Sequence, residues 1–214
     1  MTSLRILIAD DHDLIRRGLK SLLEDQSGWE VCGEARTGKE AVTMAEQLQP
    51  SIAIVDITMP ELNGLNVTRR IRKVSPLTAV LLVSVHYSDC LIHDSIEAGA
   101  LGYIIKSDSD QDLVKAVTTL AAGKPFYTGH ATETIFAQAK AQAATKSLSP
   151  RLTDREHEIL QLISEGKATK EVAAVLGLSV KTAETHRVNL MRKLQVHSIG
   201  ELVRYAVRNK IIEA

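Results

Sequence analysis

The chain has 214 residues, of which 44% are hydrophobic and 24% are charged, and its 26 basic residues balance 26 acidic ones. This composition is typical of a soluble globular protein. No run approaches the roughly 18 apolar residues that a membrane helix needs, and the first residues lack the pattern of a secretory signal. We therefore expect a cytoplasmic protein with no membrane partner, in which Cys32 and Cys90 are reduced thiols.

The zero net charge hides a difference between the two ends of the chain. Residues 1–150 hold 15 Lys and Arg against 18 Asp and Glu, whereas residues 151–214 hold 11 against 8. A mildly acidic first part and a mildly basic second part indicate different partners.

Apolar runs alternate with amphipathic stretches over the first 123 residues. The runs predict strands at 4–10, 30–35, 52–56, 79–84 and 102–106. The stretches between and after them predict helices at 13–25, 38–48, 64–73, 90–98 and 110–122. Several strands are almost continuous Val, Ile and Leu, which is expected when both faces of a sheet are covered. Five such units predict a doubly wound parallel sheet with right-handed crossovers.

The rest of the chain contains no further strand-like run. A helix is predicted from about residue 132, followed by a linker rich in Ala, Lys, Ser and Thr. Four more helical patterns follow, at about 154–165, 169–176, 180–195 and 199–209. The chain is thus divided into an α/β domain (1–125), a helical extension and linker (126–151) and a small all-α domain (152–214).

Carboxylates stand at the ends of two predicted strands. Asp10 and Asp11 follow the first strand, and Asp56 ends the third. If the strand order is 2-1-3-4-5, these strands are neighbours, and the three carboxylates meet where open α/β sheets bind ligands. Such carboxylates repel one another, and a hard cation such as Mg2+ relieves the repulsion. The alternative is that Asp11 or Asp13 caps the following helix.

Two more polar residues end strands of the same sheet. Ser84 ends the fourth strand and Lys106 the fifth. A metal-binding acid group, a nucleophilic carboxylate, a hydroxyl and a cation together suit the transfer of a phosphoryl group. Lys106 alone is more often a solvated lysine at the end of a strand.

Four stretches carry these residues: ADDHDLIRRGL, IVDITMPELNGL, LLVSVH and AGALGYIIKS. In combination they resemble the receiver domain of bacterial two-component response regulators, over residues 4 to about 122. The resemblance implies a flavodoxin-like, five-stranded sheet in which a histidine kinase phosphorylates Asp56. It implies the following Mg2+ ligands: Asp10, Asp11, Asp56 and the carbonyl of Thr58.

The resemblance also implies roles for three residues around the phosphoryl group. Lys106 would pair with that group, Ser84 would bond to it after transfer, and Tyr103 would turn inward as Ser84 moves. One position departs from the family, because Ser107 stands where many receivers have a proline preceded by a cis bond. A cis bond before serine would cost about 3–4 kcal/mol, which favours a trans bond with Lys106 displaced.

Residues 168–194 have the pattern of two helices joined by a turn. Gly177 is placed to end the first helix, and Ser179 to cap the second. The second helix has a core stripe around Ala183, Leu190 and Leu194, with Val180, Arg187 and Met191 beside it. Its opposite side mixes short polar, apolar and cationic residues, which suits either the major groove of DNA or an ordinary solvated face.

The stretch LTDREHEILQLISEGKATKEVAAVLGLSVKTAETHRVNLMRKLQV resembles the LuxR-type helix-turn-helix domain. With the receiver in front, the whole chain resembles a response regulator of the NarL/FixJ type. The resemblance implies that helix 180–195 enters the major groove of promoter DNA. We expect four residues to face bases: Lys181, Glu184, Thr185 and Val188. We expect four others to contact phosphates: Thr182, Arg187, Arg192 and Lys193.

Two residues of this helix need comment. Glu184 would repel phosphate unless it accepts a hydrogen bond from a cytosine amino group, and His186 is expected to pack rather than contact DNA. A single short helix makes few base contacts, so we expect a homodimer when the chain is phosphorylated or bound to DNA. The last helix could provide that self-contact, or could close the core of its own domain.

These expectations describe a phosphorylation-controlled transcription regulator and not a turnover enzyme. A Mg2+-dependent phosphohydrolase shares the aspartyl-phosphate chemistry, but it usually has a second aspartate at the position of Thr58. A pure interaction module with an acidic site that is never phosphorylated is the other alternative.

Overall fold

A computed structural model describes residues 3–85, 89–108, 110–128, 152–209 and 211–212. The chain forms two compact units, Met1–Thr145 and Lys146–Ala214. The helix predicted from about residue 132 and the linker lie outside the described residues. Within the described part of the chain, no helix is long and apolar enough to cross a membrane.

The first unit alternates strands and helices along the chain. Its elements are β1 (Leu4–Ala9), α1 (Asp13–Glu24), β2 (Trp29–Ala35), α2 (Gly38–Leu48), β3 (Ile52–Asp56), α3 (Gly64–Val74), β4 (Ala79–Ser84), α4 (Asp89–Ala98), β5 (Gly102–Ile105), α5 (Asp110–Ala121) and β6 (Phe126–Tyr127). The ends of the first ten elements lie within one residue of the predicted ends.

All strands pair in parallel, in the order β2-β1-β3-β4-β5-β6. The predicted order 2-1-3-4-5 is confirmed, but the prediction of five strands is wrong because β6 extends the sheet just beyond residue 125. Phe126 pairs with Gly102 and Tyr127 with Tyr103, and the Tyr127 hydroxyl donates to the carbonyl of Ala100 at 3.2 Å. A strand of two residues is too short to show a periodic pattern.

Helices cover both faces of this sheet. On one face Leu7 and Val55 belong to a buried cluster that includes residues of α2, α3 and α4. On the other face Ile8 and Ile54 belong to a cluster that includes residues of α1 and α5. Because neighbouring residues of a strand point to opposite faces, the almost continuous apolar strands fill both clusters.

The second unit contains α6 (Asp154–Ser164), α7 (Thr169–Leu176), α8 (Val180–Leu194) and α9 (Ile199–Arg208). These are the four predicted helices. Gly177 ends α7 with φ +64°, and the Ser179 side chain accepts from the Thr182 N–H at the start of α8, so both predictions about this turn are confirmed. Leu202 and Ala206 of α9 are buried in the unit's own core with Leu190.

Candidate functional site

An acidic cluster lies at the carboxyl ends of β1 and β3. These strands pair side by side, with Ala9 opposite Val55, and Asp10 and Asp56 are each only 1% exposed. One ligand atom from each of four side chains lies within 4.8 Å of the others: Asp10, Asp11, His12 and Asp56. The structure thus brings together the three carboxylates that the sequence analysis singled out.

Lys106 brings a cation into this cluster. Its Nζ lies 2.8 Å from Oδ2 of Asp10 and 2.9 Å from Oδ2 of Asp56, and its side chain is 10% exposed. Burial raises the pKa of Asp56, although Lys106 opposes this effect. Burial would lower the pKa of Lys106, but Asp56 and Asp10 together hold it above its ordinary value.

The loop after β5 holds Lys106 in this position without a cis bond. None of the described peptide bonds is cis, so the bond before Ser107 is trans, and Lys106 still reaches both carboxylates. The backbone N–H of Lys106 donates to the Ser84 carbonyl at 2.6 Å. The Asp108 carboxylate accepts from the Ile105 N–H at 2.9 Å and fixes the following turn.

The other singled-out residues of this unit lie on the loop after β3 and on the strands β4 and β5. The Thr58 N–H lies 3.4 Å from Oδ1 of Asp56, which aligns the loop after β3 with that carboxylate. Ser84 is buried at the end of β4. Tyr103 is fully buried in the core cluster, so its side chain is already in the inward position in this structure.

Two residues that the sequence analysis did not assign to the site also contact it. Nη1 of Arg16 donates to the carbonyl of Asp10 at 2.9 Å, and this side chain is only 4% exposed although it belongs to α1. Arg16 also pairs with Asp13 and lies 3.5 Å from Glu34. His12 places Nδ1 3.0 Å from Oδ1 of Asp11. Arg16 and Arg17 follow Asp13 by three and four residues, and both spacings allow side chains on a helix to meet, so the sequence does not indicate which of the two is buried.

The loop between β3 and α3 approaches the acidic strand end closely. The Gly64 N–H donates to the Ile57 carbonyl at 2.9 Å. A Cβ at position 64 would lie 2.4 Å from the Asp56 carbonyl oxygen. Asn63 caps α3 by accepting from the Asn66 N–H at 3.0 Å. Only glycine therefore fits beside the backbone of Asp56.

In the second unit, α7, the turn at Gly177 and α8 form a helix-turn-helix. Side chains on the outer side of α8 line an open pocket with a volume of about 540 Å³: Val180, Lys181, Glu184, Thr185, Val188 and Asn189. Val180 is 51% exposed, so its predicted place beside the core stripe is wrong. Val180 is the first residue of α8, and the core contacts of this helix begin further along it, at Ala183.

Three of the cations expected to contact phosphate have partners within this unit. Arg187 forms an ion pair with Glu184. Nζ of Lys193 lies 2.7 Å from Oε2 of Glu156, and Nη2 of Arg192 donates to the Asn189 side chain at 3.0 Å. Lys181 and Thr182 are exposed at the start of α8, and His186 is half-buried.

Models of two known protein families match the chain, one in each structural unit. The chain matches a model of the response regulator receiver domain over residues 6–118. It also matches a model of bacterial regulatory proteins of the luxR family over residues 150–206.

Relatives match almost the full length of the chain. The transcriptional regulatory protein MctR of Rhizobium johnstonii is 34% identical, over 98% of this chain and 95% of its own. The response regulator protein VraR of Staphylococcus aureus is 32% identical, over 99% of this chain and 100% of its own. The structure of the response regulator RcsB of Salmonella typhimurium has the same fold, with a TM-score of 0.71 and 23% identity over 98% of this chain and 99% of its own. The chain belongs to the response regulators that join a receiver domain to a LuxR-type helix-turn-helix DNA-binding domain.

Proposed function

We propose that this response-regulator transcription factor is switched by phosphorylation of Asp56. A histidine kinase is the phosphoryl donor, residues 1–127, which include β6, form the receiver, residues 128–151 are the linker, and residues 152–214 bind promoter DNA. The observation that carries the proposal is the buried Asp56 carboxylate, which lies beside Asp10 and within 2.9 Å of the Lys106 ammonium.

The donor atoms around Asp56 fit Mg2+. Carboxylate oxygens of Asp10, Asp11 and Asp56 lie within 4.8 Å of one another, and the Thr58 carbonyl belongs to the adjoining loop. Mg2+ prefers a few such oxygens and leaves its other positions to water or phosphate. When bound, it neutralises the carboxylates and the oxygens of an incoming phosphoryl group.

The side chains of the pocket account for the transfer. An ionised oxygen of Asp56 attacks the phosphorus of a phosphohistidine on the kinase. The P–N bond breaks, its electron pair returns to the imidazole nitrogen, and an acyl phosphate forms on Asp56. The Lys106 ammonium then pairs with the new phosphoryl oxygens, and the Ser84 hydroxyl donates to them.

Phosphorylation acts on DNA binding by shifting an equilibrium between two states of the receiver. The charge added at Asp56 draws Ser84 and Lys106 toward it, and Tyr103 is packed inward in the state so favoured. That state pairs two copies of the chain, and two copies of α8 then reach paired half-sites in the major groove.

The test compares phosphate incorporation and promoter binding in three proteins. Wild type and Asp25→Asn, which removes an exposed acid at the end of α1, are expected to incorporate one phosphoryl group from a small phosphoryl donor with Mg2+. Both are expected to bind genomic target fragments at least about fivefold more tightly when phosphorylated. Asp56→Asn should show neither response.

Three results would contradict the proposal. Unchanged incorporation in Asp56→Asn would place the phosphoryl group elsewhere. Equal DNA affinity before and after phosphorylation would remove the switch. Sustained release of many equivalents of phosphate from small esters would favour the phosphohydrolase.

A further inference from the structure

Glu184 is the one carboxylate on α8, and it lies in the middle of the helix's outer side. Val180 and Val188, each four residues away, lie on the same stripe and are 51% and 53% exposed. Lys181 and Thr185 beside them are exposed too. If this side approaches DNA, a carboxylate among phosphates would weaken binding, so Glu184 can contribute only by meeting the edge of a base.

The carboxylate of Glu184 is held in place and kept ionised. It pairs with Arg187, three residues further along α8. The hydrogen bond from Arg187 lowers the pKa of Glu184. An ionised carboxylate only accepts hydrogen bonds, so Glu184 presents an acceptor in a fixed position.

The neighbours of Glu184 on this side offer mostly apolar surface. The Thr185 hydroxyl donates to the Lys181 carbonyl at 2.9 Å. Its hydrogen is therefore bonded within the helix, whereas its methyl group is available to contact DNA. Val188 has no polar side-chain atom. Apolar side chains in the major groove contact the thymine methyl group, whereas a glutamate accepts from the cytosine amino group.

We infer that α8 selects a cytosine close to a thymine in the target DNA. Glu184 accepts a hydrogen bond from the exocyclic amino group of the cytosine, Val188 contacts the thymine methyl group, and Arg187 positions Glu184. Side chains four residues apart on a helix are separated by about 6 Å and bases on one strand by about 3.4 Å, so the two bases lie within two base pairs. The inference rests on the proposed entry of α8 into the major groove.

In the test, the full chain selects its preferred sites from a pool of randomised DNA duplexes. Mg2+ and beryllofluoride are present, so that the receiver is held in the state that phosphorylation would favour. Wild type should enrich a site with cytosine at one position and thymine nearby. Glu184→Gln should lose the cytosine preference by about 5- to 100-fold and gain adenine, which glutamine recognises. Glu184→Lys should favour guanine instead, and Val188→Ala should weaken only the thymine preference. Asp154→Asn, which removes an exposed acid outside α8, should select the wild-type site.

Arg187→Met separates positioning from phosphate contact. If Arg187 positions Glu184, this variant has a weaker preference for cytosine at that position, and its affinity for sites without that cytosine is unchanged. A uniform loss of affinity for every sequence, with a shallower salt dependence, would show that Arg187 contacts phosphate and would overturn its positioning role.

Two other results overturn the inference and are distinguishable. An unchanged selected site for Glu184→Gln, with higher affinity for all sequences, means that the carboxylate only repels phosphate. Failure of every protein, wild type included, to select any sequence means that α8 does not read DNA, and the proposed function fails with the inference.

Discussion

Nζ of Lys106 lies 2.9 Å from Oδ2 of Asp56, although Asp56 ends β3 and Lys106 follows β5, on either side of β4. The same nitrogen lies 2.8 Å from Oδ2 of Asp10. One cation thus neutralises part of the charge of two buried carboxylates. The residue proposed to receive the phosphoryl oxygens therefore already pairs with both carboxylates.

Removing this cation should destabilise the receiver. Lys106→Met leaves two buried carboxylates without their partner, and breaking a buried pair in this way costs about 3–5 kcal/mol. We expect a loss of that size in the free energy of unfolding at pH 7, measured by urea denaturation. Lys124→Met, at an exposed lysine after α5, should change it by less than about 0.5 kcal/mol.

The same pair of variants tests the proposed metal site. Mg2+ supplies positive charge between the carboxylates, so it should stabilise Lys106→Met more than wild type, in line with its binding to the folded state alone. Equal stabilisation of both proteins by Mg2+ would count against a site formed by these carboxylates.

Asp56→Asn should make the protein more stable at neutral pH. Burial raises the pKa of Asp56 above its ordinary value of 3.8, so the folded state binds this proton more tightly than the unfolded state. The resulting stability is present below pH 3.8 and is lost as pH rises through the higher folded pKa. Asparagine stays neutral and Asp10 remains as a carboxylate partner for Lys106, so the advantage of the variant should be present at pH 7 and shrink as pH falls toward 4.

Urea denaturation of both proteins between pH 4 and 8 checks this dependence, with Asp25→Asn as the exposed control. An advantage of Asp56→Asn that does not change with pH would show that the effect comes from packing and not from the charge of Asp56.

The two periodicities and the chirality of βαβ units predicted a parallel, doubly wound sheet, and the resemblance to receiver domains supplied the order of its strands. Once β1 and β3 are neighbours, Asp10 and Asp56 must meet at one edge of the sheet. The helix ends at Gly177 and Ser179 were predictable for a similar reason, since a left-handed residue and a side-chain cap are local features.

Other features depend on tertiary contacts that local patterns do not contain. The strand β6 exists because the edge of β5 is available to Phe126 and Tyr127. Arg16 resembles its neighbour Arg17 in the sequence, but only Arg16 points into the pocket, where it is buried. The pairing of Lys193 with Glu156 joins residues 37 positions apart, and no periodicity along α8 predicts it.

Arg16 and Arg17 form a matched pair for testing the support of the acidic loop. Arg16→Ala removes a buried hydrogen bond to the Asp10 carbonyl and leaves Asp13 and Glu34 without this partner. Because those acids are partly exposed, we expect a loss of about 2 kcal/mol in the free energy of unfolding. Phosphate incorporation should also slow, since the loop carries two proposed Mg2+ ligands.

Arg17→Ala removes an exposed side chain from the same helix and should change stability by less than about 0.5 kcal/mol. Urea denaturation and phosphate incorporation at saturating Mg2+ measure the two effects separately. Equal behaviour of the two alanine variants would mean that Arg16 does not support the loop.

Gly18 and Gly64 should respond in opposite directions to the same change. Gly18 lies exposed within α1 with no atom within 4 Å of an added Cβ, so Gly18→Ala should raise the free energy of unfolding by about 0.5–1 kcal/mol. At Gly64 the added Cβ would lie 2.4 Å from the Asp56 carbonyl oxygen. Gly64→Ala must therefore displace backbone, which costs about 1–3 kcal/mol.

The position of Asp56 depends on that backbone, so Gly64→Ala should also slow phosphate incorporation, whereas Gly18→Ala should leave it unchanged. Urea denaturation of the three proteins gives the stability order, and incorporation is measured below each unfolding midpoint. If Gly64→Ala is as stable as wild type and is phosphorylated at the same rate, the loop after β3 can move away from Asp56 at no cost. The close approach of Gly64 would then have no part in positioning the phosphorylated carboxylate.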